Sequence, residues 1–271
     1  MRMPARRLAL VTLIFAFVGG LAPVAFGADT SAASESAIAA AEKDALTLTN
    51  RRRTAADLVP LRFNQRLAAL ARDRAEYMAG SGNLSHTQSN GTDVFDLIAA
   101  SDIAWYGAGE IIAWNTAAAL DYSAAFAVQG WMGSPTHKSI VMSSGYNYVG
   151  FGLAIAEDGK RYWAGVYLKG PDRTGAVAKI KATATRAATA GKTKIWVRWT
   201  GSDVRLQVLT SGLRVFETQR RVDGGPWASY GTTTATSTVR YWRKDRTWDF
   251  RVRARDRAGN WGSWTTVTFN L

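Results

Sequence analysis

Hydrophobic residues recur with two different periods along this chain, and that change confines it to at least two folding units. In "NQRLAALARDRAEYMAGSG", residues 64–82, Leu67, Leu70, Ala71, Tyr77 and Met78 recur every three to four positions, the spacing of one helix face. In "TWDFRVRARD", residues 247–256, Trp248, Phe250, Val252 and Ala254 alternate with Asp249, Arg251, Arg253 and Arg255. That is the two-residue period of a strand with one face in a core. A helical layer and an alternating sheet each need an apolar surface to pack on, and 271 residues suffice for about two such cores.

The helical pattern occupies residues 34–142. "SESAIAAAEKDALTLTNRRR" places Ile38, Ala41, Leu46 and Leu48 near one face. A helix follows over residues 64–82, where Gly80 and Gly82 end the run, then one from Asp93 to Ala100 and a longer one from Ala117 to Trp131. Ser134 and Pro135 read as the N-cap and first position of a short helix. After Gly145 the aromatic and β-branched segments "YNYVGFGLAI" and "RYWAGVYLK", separated by "EDGK", predict an antiparallel hairpin. Helices followed by such a hairpin describe a layered α+β domain. Residues 171–191 hold no aromatic residue and read as a linker able to carry an edge strand. "TKIWVRWTGSD", the turn "VDGG" at 222–225 and the strand at 247–256 predict a small β-sandwich.

Charge divides the chain at the same place. Residues 1–172 balance 15 basic side chains against 15 acidic ones, whereas residues 173–271 hold 19 basic and 6 acidic, so the whole net charge of +13 lies there. No cysteine is present, which excludes disulfides, thiolate metal sites and cysteine nucleophiles. The first residues, "MRMPARRLALVTLIFAFVGGLAPVAFGADTS", combine a basic start, an apolar stretch broken by glycine and proline, and the segment "AFG" at 25–27 with small residues at Ala25 and Gly27. They predict a secretory signal over residues 1–27 that is cleaved after Gly27, leaving no membrane span; a retained anchor is the alternative.

The chain has two histidines, His86 in "GNLSHTQ" and His137 in "GWMGSPTHKSI". From the residues alone they are a metal site, a base with its helper, or two unrelated side chains. The order of "LTNRRRTAADLVPLRFNQRLAALARDRAEYMAGSGNLSHT", "GAGEII", "WMGSPTHKSI", "YVGFGLAI" and "RYWAGVYL" is similar to the bacterial branch of the CAP superfamily. That family is also called SCP-like and includes plant pathogenesis-related and animal cysteine-rich secretory proteins. The resemblance implies a CAP-type α-β-α sandwich over residues 38–170, preceded by a spacer at 28–37. It also implies a central cleft holding two histidines and two acids. Matched motif by motif, the cleft residues are His86, Glu110 and His137. The family's "GEN" is "GEI" here, with Ile111 in place of asparagine, and "WMGS" at 131–134 lacks the second acid, leaving Asp93 or Asp96 as substitutes.

At the third position of a capped helix, His137 would be kept neutral by the helix dipole, as a metal ligand or general base requires. Glu110 is then either a third ligand or the carboxylate that orients one imidazole. Two histidines and a glutamate leave an open coordination position, so Zn²⁺ or another divalent cation is the expected cofactor. No HExxH or GxSxG motif occurs, and the resemblance implies no generally established catalysis. The expected function is a secreted non-catalytic binding protein for a metal ion, an envelope glycan or a lipid. A metal-dependent hydrolase of wall peptide or glycan and a purely structural envelope protein are the alternatives. Trp105, Tyr106, Trp114, Trp131, Tyr146, Tyr148 and Trp163 flank the motifs as groove or core residues.

The second region, residues 188–271 after a linker at 171–187, resembles fibronectin type III-like or Ig-like modules through "IWVRWT", "RVDGGPW" and "FRVRARDRAGNWGSW". Its stripe Arg251, Arg253, Arg255 and Arg257 is a candidate for holding an anionic wall polymer, or else a solvated face. No nucleic-acid-binding signature accompanies it.

Overall fold

The computed structural model describes residues 34–117, 119–189 and 191–271. The expected signal segment, and the spacer up to residue 33, lie outside the described residues. Two compact units emerge: residues up to Pro171 together with Leu206–Leu209, and Asp172–Arg205 with Thr210–Leu271. No described helix is long and apolar enough to cross a membrane.

In the first unit, helices α1 (Glu35–Thr54), α2 (Gln65–Ser81), α3 (Val94–Ala100), α4 (Leu120–Gly133) and α5 (Pro135–Val141) surround a four-stranded sheet. Its strands are β1 (Arg62–Phe63), β2 (Gly107–Asn115), β3 (Tyr148–Ile155) and β4 (Arg161–Lys169), in the order β1-β3-β4-β2. Strands β3 and β4 form the expected antiparallel hairpin, β2 pairs antiparallel with β4, and β1 runs parallel to β3.

The two faces of this sheet follow from alternation. Val149, Phe151 and Leu153 of β3, with Trp163 and Tyr167 of β4, pack against Ala41 and Ala45 of α1 and Ala124, Ala127 and Trp131 of α4. Tyr148, Tyr162, Ala164, Val166 and Leu168 face the other way, onto Leu67, Ala71 and Met78 of α2 and Val94 and Ile98 of α3. The result is a three-layered α-β-α sandwich. Glycine sets the depth of one layer: a Cβ on Gly150 would stand 2.1 Å from the Ala68 nitrogen, and one on Gly152 2.2 Å from the Ala71 carbonyl carbon. The α2 backbone therefore rests directly on β3, an approach that only glycine permits. Helix ends are set locally. Asn64 caps α2 through its side chain, and Gly82 terminates it in the left-handed conformation.

The second unit is all β. Strands β5 (Val177–Thr189), β6 (Lys192–Ser202) and β9 (Ser237–Arg243) form one sheet, in the order β5-β6-β9. The other sheet holds β7 (Leu213–Val222), β8 (Ala228–Thr233), β10 (Thr247–Asp256) and β11 (Thr265–Asn270), in the order β11-β10-β7-β8. Much of the expected linker thus belongs to β5, an edge strand paired with β6 along its length. Between the sheets lies a core of Ile195, Val197, Trp199, Phe216, Trp242, Trp248, Phe250 and Val252. Trp199 stacks on Phe250 at 5.7 Å, and Trp242 stacks on Trp248 at 5.2 Å. The chain is an α-β-α sandwich followed by a small β-sandwich.

Candidate functional site

Strand alternation turns Ala108, Glu110 and Ile112 of β2 toward the α2–α3 layer, while Ile111 enters the opposite core. Ile111 therefore fills the asparagine's place in the family motif with a fully buried apolar side chain. Glu110 is buried as well, 1% exposed, and a lone carboxylate there would carry a large desolvation cost. Helix α2 supplies the answer in Arg74, which lies on the stripe of Leu67, Ala71 and Met78 and is fully buried. Its Nε donates to Glu110 Oε1 at 2.8 Å, and its Nη2 donates to the Ser85 carbonyl at 2.6 Å. The other carboxylate oxygen, Oε2, lies 2.7 Å from Nδ1 of His86.

These contacts form a continuous chain from Arg74 through Glu110 to His86. A carboxylate paired with an arginine accepts, so His86 Nδ1 carries the proton and its lone pair, when the ring is neutral, sits on Nε2. The Ser85 contact fixes the backbone immediately before His86.

His137 lies in the first turn of α5, half-buried. Burial, followed by the nearby charge of His86, holds its imidazole below the usual histidine range. The two histidines are therefore electrostatic neighbours, and His137 is kept neutral. The cause differs from the sequence expectation, which gave that role to the helix terminus. Ser134 occupies the N-cap position, but its side chain makes no capping hydrogen bond. Its backbone N–H instead closes α4 on the Gly130 and Trp131 carbonyls.

The structure brings Glu110 onto His86 and sets His137 beside them, but it does not gather a three-ligand metal set. Among the described residues, the group of carboxylates and imidazoles with three ligating atoms within 4.8 Å of one another is Asp172, Asp203 and Asp256 of the second unit. Both Glu110 oxygens are engaged, one by a guanidinium that repels cations. His86, Glu110 and His137 therefore do not fit a divalent ion as three direct ligands; Glu110 is an orienting group. The substitute acids are also committed elsewhere. Asp93 and Asp96 form the capping box of α3, with Asp93 Oδ1 accepting from the Phe95 and Asp96 N–H groups and Asp96 Oδ2 from the Asp93 N–H.

The flanking aromatics divide between core and surface. Trp131, Tyr148 and Trp163 are buried; Trp131 donates to the Ile112 carbonyl and Trp163 to Ser123 Oγ. Tyr146 lies over β2 beside the cluster, donates to the Ala108 carbonyl at 3.2 Å, and has its phenol pushed up by burial. Trp105 stacks on Phe95, Trp114 sits under Lys160, and Tyr106 is exposed.

Two arginines escaped the sequence reading. Arg74 carried a usable signal, because a cation on an otherwise apolar helix stripe requires a buried partner. Arg53 looked like one of three basic residues ending α1. It is fully buried instead, and its Nη1 donates to the Val141 and Ser143 carbonyls at 2.8 Å each, fastening the C-terminal end of α5, opposite the turn that carries His137.

In the second unit the arginine stripe is interleaved with tryptophans. Arg221 and Arg251 flank Trp227 at 4.6 and 3.9 Å, Arg251 and Arg253 flank Trp264 at 4.3 and 4.6 Å, and Arg253 and Arg255 flank Trp261 at 4.4 and 5.4 Å. Arg253 also donates twice to Glu217, Arg251 twice to Gln219, and Arg221 to Asp249. Arg257 is exposed.

A three-layered sandwich with paired histidines beside a buried glutamate defines a class of small α-β-α domains. Residues 46–167 match the CAP model, the cysteine-rich secretory protein family, and the first unit is a CAP domain. An uncharacterized membrane protein of Bacillus subtilis is 31% identical over 112 residues, covering 41% of this chain and 31% of that protein. The chain thus spans about a third of that curated relative. Among solved structures, an outer surface protein of Borrelia burgdorferi is 19% identical with a TM-score of 0.44, covering 48% of this chain and 93% of that one. An extracellular SCP-domain protein of Bacillus anthracis is 21% identical with a TM-score of 0.43, covering 48% of this chain and 41% of the other.

Proposed function

We propose that the protein is an extracellular binding protein whose CAP domain holds a hydroxyl-bearing envelope glycan at His86 and His137, while the basic second unit anchors it to an anionic surface. The observation that supports this most is the Arg74–Glu110–His86 chain, with both Glu110 contacts under 3 Å. It fixes one imidazole with Nδ1–H inward and Nε2 as the remaining acceptor, beside a second imidazole kept neutral. An oriented imidazole beside a second, neutral one suits sugar hydroxyls, which donate and accept in turn. The engagement of both Glu110 oxygens, one of them by a guanidinium, supports Glu110 as an orienting group over Glu110 as a direct ligand of a divalent ion.

Calorimetric titration of the full chain with wall-glycan oligosaccharides tests the cleft. Each of His86→Ala and His137→Ala should weaken binding by about 3- to 10-fold, the worth of one hydrogen bond. Unchanged glycan affinity in both variants, or stoichiometric Zn²⁺ uptake lost in both, would replace this reading with the metal one.

A further inference from the structure

We propose that the outward face of the β5-β6-β9 sheet, rather than the arginine stripe on the other sheet, is the surface that binds an acidic polysaccharide. This rests on the reading of the second unit as an anchor. No Asp or Glu occurs in any of the three strands. Alternation sends Ala178, Ile195, Val197, Trp199 and Trp242 into the core and leaves Lys179, Lys181, Lys192, Arg198 and Arg243 exposed on the opposite side.

Register makes the arrangement costly. Lys181 lies directly across from Arg198, and Lys192 directly across from Arg243. Like charges in facing positions destabilise a sheet. The other sheet shows the usual remedy: Arg253 faces Glu217, and Arg221 faces Asp249, each pair bridged. One sheet of the same domain matches its cations with acids and aromatic faces, while the other leaves two facing cation pairs without an acid on any of its strands. Folding gains nothing from that, but a polyanion laid on the face supplies the missing charges.

The aromatic content indicates which polyanion. Trp196, 37% exposed, and Tyr241, 52% exposed, lie on adjacent strands two residues apart in register, Trp196 opposite Val239 and Tyr241 opposite Lys194. Arg198 covers one side of the Trp196 ring at 4.3 Å. Along the outward side of β6 the order is Lys192, Lys194, Trp196, Arg198, six residue steps or roughly 20 Å. Pyranose rings offer flat C–H faces to the aromatics, and their carboxylates reach the cation pairs at either end. A lipid surface would call for a cluster of apolar tips, whereas these two rings lie among cations on β6 and β9.

Binding of the full chain to immobilised polygalacturonate, with single-stranded oligothymidylate and phosphatidylglycerol vesicles as parallel arms, decides the matter. Lys181→Glu with Arg198→Glu should weaken polygalacturonate binding at least about 10-fold. Arg205→Glu with Arg214→Glu, an equal charge change at exposed positions elsewhere in the unit, should weaken it by no more than about 2-fold, because remote exposed charges are screened. Trp196→Ala should weaken it about 3-fold or more without changing net charge. Circular dichroism and melting curves confirm that each variant is folded. Equal losses in the two charge-matched variants, or no loss in either while the wild type binds, overturn the face and leave the anchor reading standing. Preference for oligothymidylate or vesicles overturns the polysaccharide. A wild-type chain that binds none of the three removes the anchor reading as well.

Discussion

Glu110 and Arg74 are both fully buried and ion-paired, Arg74 donating also to the Ser85 carbonyl and Glu110 also meeting His86, so removing either one leaves the other's charge stranded. Arg74→Met should destabilise the CAP domain by about 3–5 kcal/mol in urea unfolding, because it strands a buried carboxylate. Adding Glu110→Gln should recover part of that loss; a double variant as unstable as the sum of the singles would mean the two do not act as a pair. His137 makes a pH-dependent contribution whose sign follows from its lowered pKa. The folded chain binds fewer protons there than the unfolded chain, in which histidine titrates near 6.5. Its contribution is therefore complete above about pH 6.5 and is lost as pH falls toward the depressed value. Urea midpoints of His137→Gln should decline less steeply than wild type below about pH 6.5, and parallel curves would show that burial of His137 carries no such linkage. At this scale His86, Glu110 and His137 were legible through short motifs. Arg74 was not, because its partner is 36 residues away and the pairing exists only once α2 lies on the sheet.

Helices and the β3–β4 hairpin were readable because their signals are local: apolar period, the Asn64 cap, the terminating Gly82 and the "EDGK" turn. Strand β2 had no such signal. "GAGEIIAWN" mixes small and apolar residues without alternation, and its conformation comes from pairing with β4 across the whole of its length. Strand β5 was legible only as a possible edge, since its alanines and threonines state no preference until β6 offers a register. The two glycines of "VGFGLAI" gain meaning from the opposite layer. Gly150→Ala would drive a methyl group into the α2 backbone, which cannot rotate away as a side chain can. The substitution should cost about 3 kcal/mol or more, measured as a fall in the urea midpoint. Gly159→Ala, at an open turn, provides the comparison: its cost is limited to the strain of a positive φ.

Across the whole molecule, charge and chemistry are divided between two units. The buried polar cluster belongs to the CAP domain, and all of the net charge of +13 belongs to the residues after 172. Cation placement within the second unit decides more than its sum does. The arginines of β10 are held by tryptophans and by Glu217 and Gln219, so their stripe acts first as a cross-linked sheet face. The cations of β5, β6 and β9 have no acid on their strands, and screening should make their binding to a polyanion fall steeply with added salt. By itself the sequence determined the two periods, the partition of charge, the absence of thiol chemistry and the two histidines with their glutamate. Those properties reside in single residues or in neighbours a few positions apart. Only the tertiary structure decided that Arg74 pairs with Glu110, that Glu110 meets the His86 imidazole, and that the cations of β5, β6 and β9 share one face. Each of these depends on which side chain desolvates beside which, and that is settled when distant strands and helices close on one another.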